Sequence, residues 1–125
     1  MATRATVLKI GIASAAFLKA RTIAIASGRQ RRQPGEPRVW FTSINSVAQV
    51  LSEPNRALLE LIRTSKPATM TELAEISGRK ESNLSRTLRT MENYGLVRLA
   101  KTGRTIRPVV DWDKVEIEVQ LANAA

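Results

Sequence analysis

The chain has 125 residues, with 20 Lys or Arg against 11 Asp or Glu and a formal net charge of +9. One domain is the natural size for that length, and 43% hydrophobic residues suffice to bury a core. There is no cysteine and no histidine, which removes disulfides, thiolate and imidazole metal sites and the commonest catalytic bases, so the composition argues against an enzyme and for an anionic partner, nucleic acid first.

The charge is unevenly spread. Residues 1–50 carry eight basic side chains and one acid, Glu36; residues 96–110 carry Arg98, Lys101, Arg104 and Arg107 and no acid. The last fifteen residues are acidic, with Lys114 against Asp111, Asp113, Glu116 and Glu118. The acid-free start, rich in Ala, Ser, Thr and Arg, also fits a transit peptide. Its patterning reads better as folded structure. Leu8, Ile10 and Ile12 alternate as in a strand, and Phe17, Leu18, Ala24 and Ile25 fall at helical spacing over Ser14 to Ser27, with Gly28 as the stop. No run is long enough to span a membrane. Gly28 to Arg38 holds two prolines, two glycines and four arginines. It reads equally as a solvated connector or as a basic arm reaching DNA. Val39-Trp40-Phe41 then restarts the apolar chemistry.

Three helices are expected next. Thr42 or Ser43 caps a short one through Val47, Val50 and Leu51. Ser52 and Pro54 open a second, with Leu58, Leu59 and Ile62 inward and Lys66-Pro67 at its end. Thr69 or Thr71 starts the third, Thr69 and Glu72 forming a capping box; Leu73, Ala74 and Ile76 point inward, and Gly78 stops it. A few residues later another helix begins near Ser82 and runs to Tyr94, giving two short helices joined by a tight glycine turn. Leu84, Leu88 and Met91 share its inner face, while Ser82, Arg86, Arg89 and Asn93 lie opposite, flanked by Asn83, Ser85 and Thr90. A solvated helix face ordinarily mixes Glu with Lys and Arg. This one is rich in Arg, Asn, Ser and Thr, the side chains that reach bases and phosphates.

After Tyr94-Gly95 the period changes. Leu96 to Ala100 and Thr105 to Val110 read as a hairpin whose tip, Lys101 to Arg104, is basic and suits a phosphate backbone. Pro108 restricts the second strand to an edge or an end. Beyond an Asp111-Trp112-Asp113 turn, Val115, Ile117, Val119 and Leu121 alternate with Glu116, Glu118 and Gln120. This strand is expected to pair with the N-terminal one, placing Lys9 near Glu116 or Glu118. Few aromatic residues are present, so no base-stacking RNA platform is expected.

Thr71-Glu72-Leu73-Ala74-Glu75-Ile76-Ser77-Gly78-Arg79, Ser82-Asn83-Leu84-Ser85-Arg86-Thr87-Leu88 and Glu92-Asn93-Tyr94-Gly95-Leu96-Val97 together resemble the winged helix-turn-helix of MarR-like regulators, over residues 54 to 110. The flanks Trp40-Phe41-Thr42-Ser43 and Arg107-Pro108-Val109-Val110 are similar to a narrower group of small prokaryotic antitoxin-type DNA-binding proteins. MarR-like regulators usually build their dimer and a ligand pocket from long flanking helices; here the flanks are a short strand-helix unit and a terminal strand.

The expected fold is therefore α+β. Residues 1–38 would form the strand-helix unit and basic linker (dimerisation or partner binding), residues 39–110 the winged helix-turn-helix, and residues 111–125 a strand and tail. The resemblance implies a cytoplasmic, nucleoid-associated, homodimeric repressor of a palindromic operator, possessing no cofactor, with a cognate toxin protein as partner. The alternative is a winged-helix module that binds a protein without reading DNA. Candidate DNA contacts are Arg79, Lys80, Ser82, Asn83, Ser85, Arg86, Arg89 and Thr90 on the turn and helix, and Lys101 and Arg104 on the wing.

Overall fold

The computed structural model describes residues 6–121. Ten elements follow one another: β1 (Val7–Ile12), α1 (Ala15–Ala26), β2 (Val39–Phe41), α2 (Ile44–Val50), α3 (Glu53–Ser65), α4 (Met70–Ser77), α5 (Glu81–Asn93), β3 (Arg98–Thr102), β4 (Thr105–Val109) and β5 (Lys114–Val119). They divide into two units. One is built from the chain up to Gln49 and again from Asp113 onward; the other runs from Val50 to Trp112. The second is thus inserted, in sequence, into the first.

The first unit is a three-stranded parallel sheet in the order β2-β1-β5. Parallel neighbours need a crossover, and α1 supplies it between β1 and β2. The Ser14 hydroxyl caps α1 by accepting from the Phe17 amide (3.1 Å). Leu8, Ile10 and Ile12 are buried on the central strand, as their alternation requires. Val39-Trp40-Phe41 hydrogen-bonds to β1, with Gly11 opposite Trp40, and groups with this unit, as does most of α2, rather than with α3 to α5. A Cβ on Gly11 would lie 2.5 Å from two Trp40 ring carbons and 2.9 Å from Pro37 Cγ. The close approach of strand and ring requires glycine there.

β5 pairs with β1 as expected, in parallel, with Lys9 opposite Glu116. The anticipated charge contact is absent. Lys9 Nζ donates to the Gly35 carbonyl (2.7 Å), while Glu116 is bridged by Lys114 (3.3 Å), its neighbour two residues away on the same side of the strand. The alternating apolar face also differs from a core strand. Ile117 and Val119 are 49% and 42% exposed, because β5 is an edge strand, and Leu121, past its end, is 94% exposed.

The second unit packs α3, α4 and α5 with the β3-β4 hairpin. Its buried residues are Leu58 and Ile62 from α3, Leu73 from α4, Leu84, Leu88 and Met91 from α5, and Leu96, Val97, Pro67 and Pro108. Burying each aliphatic side chain contributes about 1.5–3 kcal/mol. α3 opens on Ser52 with Pro54 in its first turn and ends on Lys66 in the left-handed region (φ +47°). In α4 the Thr69 hydroxyl accepts from the Glu72 amide, but Glu72 reaches back to the Ala68 amide (3.2 Å) rather than to Thr69. Ile76, expected inward, is exposed. The inward stripe of α4 follows buried Leu73 and half-buried Met70, Ala74 and Ser77, and Ile76 falls off that spacing.

The end of α5 explains why β3 starts later than its apolar pattern. Leu96 N donates to Met91 O (2.9 Å) and Gly95 N to Glu92 O (3.0 Å), with Gly95 at φ +73°. This is a Schellman closure, in which the left-handed residue is glycine and the next residue packs on the last turn. Leu96 is therefore used as a helix stop, and the ladder begins at Arg98.

Candidate nucleic-acid interface

α4 and α5 are joined by Gly78-Arg79-Lys80 alone, with Gly78 in the left-handed conformation (φ +72°) that ends α4. Because Leu84, Leu88 and Met91 are all buried, the rest of α5 is turned outward. Ser82, Asn83, Ser85, Arg86, Arg89, Thr90 and Asn93 are exposed, and the two acids, Glu81 and Glu92, stand at the ends of the helix. Glu81 is engaged by the Thr71 hydroxyl (3.2 Å). The Thr90 hydroxyl donates back to the Arg86 carbonyl (3.2 Å), so its proton is committed to the helix.

The start of α5 also differs from the others. Side-chain oxygens of Ser14, Ser52 and Thr69 cap α1, α3 and α4, whereas the N-cap of α5 is Lys80, which makes no such bond. The first amides of α5 are left for another acceptor, and the positive end of the helix dipole favours an anionic one.

The hairpin follows. Thr102 pairs with Thr105, so Gly103 and Arg104 form its two-residue tip. Lys101 and Arg104 are exposed there, and no described acid pairs with either, or with Arg86 or Arg89. Arg107, opposite Ala100, is exposed beside Thr105 in the alternation. Arg107 is thus a further cation of the wing beyond Lys101 and Arg104, on the side where strand alternation from Thr105 places it. Two other basic residues are committed elsewhere. Arg79 is half-buried and donates through its guanidinium to Pro54 O (3.0 Å), tying the α4-α5 turn to the start of α3. Arg98 is held by both oxygens of Asp111 (3.2 and 3.3 Å), a hydrogen bond and charge contact that raise its pKa above the usual arginine value.

In the first unit, Arg21 lies over the Trp40 ring (5.2 Å to the centroid) and bonds Glu36 (2.6 Å), with Phe17 against the same ring. Arg31 and Arg32 are exposed on the linker. Among the described residues no group of three His, Cys, Asp or Glu could hold a metal ion, and no helix is long and apolar enough to cross a membrane.

A family model, HVO_A0114, matches residues 50–117. The chain belongs to the HVO_A0114 family. The segment that carries this membership takes in α3 to β4 and the first residues of β5, so every side chain of the α5 face and the hairpin tip lies within the HVO_A0114 match. No curated protein matches the chain. Among solved structures, the chain is similar to the crystal structure of a predicted DNA-binding transcriptional regulator from E. coli. Identity is 20% and the TM-score 0.46, over 75% of this chain and 84% of that one.

Proposed function

We propose that residues 50–112 form a winged helix-turn-helix that binds double-stranded DNA sequence-specifically, and that the chain acts as a homodimeric repressor. The observation that carries this reading is the outer face of α5. It presents two unpaired arginines and a set of Asn, Ser and Thr side chains, with its acids confined to the helix ends. On this reading α5 enters the major groove. Arg86 and Arg89 hydrogen-bond guanine edges, Asn83 reads adenine, Ser82 and Ser85 serve bases or phosphates, and Thr90, whose proton goes to the Arg86 carbonyl, accepts from a base amino group. The uncapped first turn and Lys80 meet a phosphate. Lys101 and Arg104 hold the backbone beyond the groove. A two-fold dimer would set its recognition helices about 34 Å apart and favour a palindromic operator. The resemblance to antitoxin-type proteins extends the reading to autoregulation of a toxin–antitoxin operon, with the toxin as a second partner; co-purification with the product of the adjacent gene tests that extension.

The DNA reading is tested by mobility-shift titrations on operator and random duplexes at several salt concentrations. Arg86→Ala is expected to cost about 1–3 kcal/mol on the operator and little on random DNA. Arg104→Ala weakens both alike and lowers the salt slope by about 1. Equal losses for both variants on both duplexes would refute the division of roles, and binding without salt dependence would refute the DNA reading.

A further inference from the structure

The first unit ends its sheet on an open edge. Lys114 N and Gln120 N donate to Thr6 O and Ile12 O on the β1 side. By the alternation of a parallel ladder, Val115, Ile117 and Val119 direct their own N–H and C=O groups away from β1. The opposite edge, β2, has only three residues. β5 has six, with no proline; Ile117 and Val119 are exposed on the face that it shares with buried Leu8, Ile10 and Ile12, and Leu121 is exposed just past its end. Natural sheets usually shorten, charge or cover such an edge, because it is a template for another strand; β5 is charged on its other face, at Lys114, Glu116 and Glu118, which restricts the registers a partner can take.

We propose that this edge pairs with β5 of a second copy of the chain, antiparallel about a two-fold axis at Val119, giving a continuous six-stranded sheet. A two-fold axis perpendicular to a sheet brings identical edges together antiparallel and closes the assembly at two copies. The charges on β5 select the register. An axis at Glu116 or Glu118 sets that carboxylate against itself, and an axis at Ile117 sets Glu116 against Glu118 twice; like charges directly opposite are destabilising. An axis at Val115 pairs Lys114 with Glu116 but leaves Val119 and Leu121 outside the paired segment. An axis at Val119 sets Ile117 against Leu121 on both sides of a central Val119 pair, and Glu118 against the neutral Gln120. It covers Ile117, Val119 and, in the extension of the strand that Gln120 N continues by donating to Ile12 O, Leu121, without a like-charge contact. Such a dimer gives the proposed homodimeric repressor its interface and stands independently of DNA binding.

The absence of cysteine makes the test clean. In the full chain, Val119→Cys places two thiols across the axis at a Cα separation of about 5.5 Å, within disulfide range. Mild oxidation is expected to give a covalent dimer on a non-reducing gel, with little or none from Val115→Cys. Val119→Lys, at an exposed position, is expected to leave the circular dichroism spectrum unchanged and to weaken dimerisation at least tenfold in sedimentation. A native chain that sediments as a monomer at micromolar concentration overturns the proposal, as does preferential cross-linking through Val115→Cys. Either outcome leaves the DNA reading intact if salt-dependent binding to duplex DNA persists.

Discussion

Both units hold committed and exposed cations, but they place the exposed ones differently: on the linker in the first (Arg31, Arg32), on a helix face and a hairpin tip in the second. In the first, Lys9 and Arg21 are turned to internal duty, one onto the Gly35 carbonyl and the other between Glu36 and the Trp40 ring. In the second, Arg86, Arg89, Lys101 and Arg104 stand in solvent without an acidic partner. Residues 1–50 hold the larger net positive charge because Glu36 is their one acid, yet the inserted unit has more basic residues and presents cations on a regular helical face. Net charge thus locates a basic chain, and only the contacts show which cations remain available to a ligand.

Three variants sharpen that contrast. The largest effect belongs to the scaffold behind the α5 face: Leu88 is fully buried, and Leu88→Ala is expected to cost about 2–5 kcal/mol in chemical denaturation. Loss of DNA binding in that variant should track loss of fold. Arg21→Ala removes a largely buried ion pair (12% and 24% exposed) and a cation–π contact, and is expected to destabilise the first unit by about 1–2 kcal/mol. The salt slope of DNA binding should stay as in the native chain, and a reduced slope would put Arg21 among the DNA contacts. The smallest effect is that of Arg31→Ala with Arg32→Ala. Both are exposed, so stability should change by less than about 0.5 kcal/mol. If the linker is a solvated connector the salt slope is unchanged; a fall approaching 2 marks it as a DNA-contacting arm.

What could be read in the sequence was what lies close together along it. Leu84, Leu88 and Met91 announce a helix by spacing alone, Gly78 and Ser14 mark helix ends, and Gly103 sits at the tip of a hairpin whose strands are adjacent. The α5 face followed directly, since burying one side of a helix settles the other. Contacts across long separations were less legible. Val39–Phe41 is too short to show a period, and it becomes a strand because Gly11 admits Trp40 beside β1. Arg21 and Glu36 are fifteen residues apart, and nothing local distinguishes them from solvated charges. The commitment of Arg79 to Pro54 depends on how α3 meets the α4-α5 turn. β5 alternates like a core strand, but its exposure follows from its place at the end of the strand order, which alternation does not encode.

The insertion of one unit within the other has a consequence for how the chain folds. Thr6 and Asp113 are hydrogen-bonded although 107 residues separate them, and the pairing of β1 with β5 begins at that clasp. During synthesis β1 therefore waits for β5 through the whole length of the helical unit, whose own contacts are comparatively local. Closing so long a loop is slow while its residues are unstructured. Early folding of residues 50–112 would leave less unstructured chain for that closure to span. Until β5 emerges, Leu8, Ile10 and Ile12 lack their neighbour on that side, and the nascent chain is at its most adhesive.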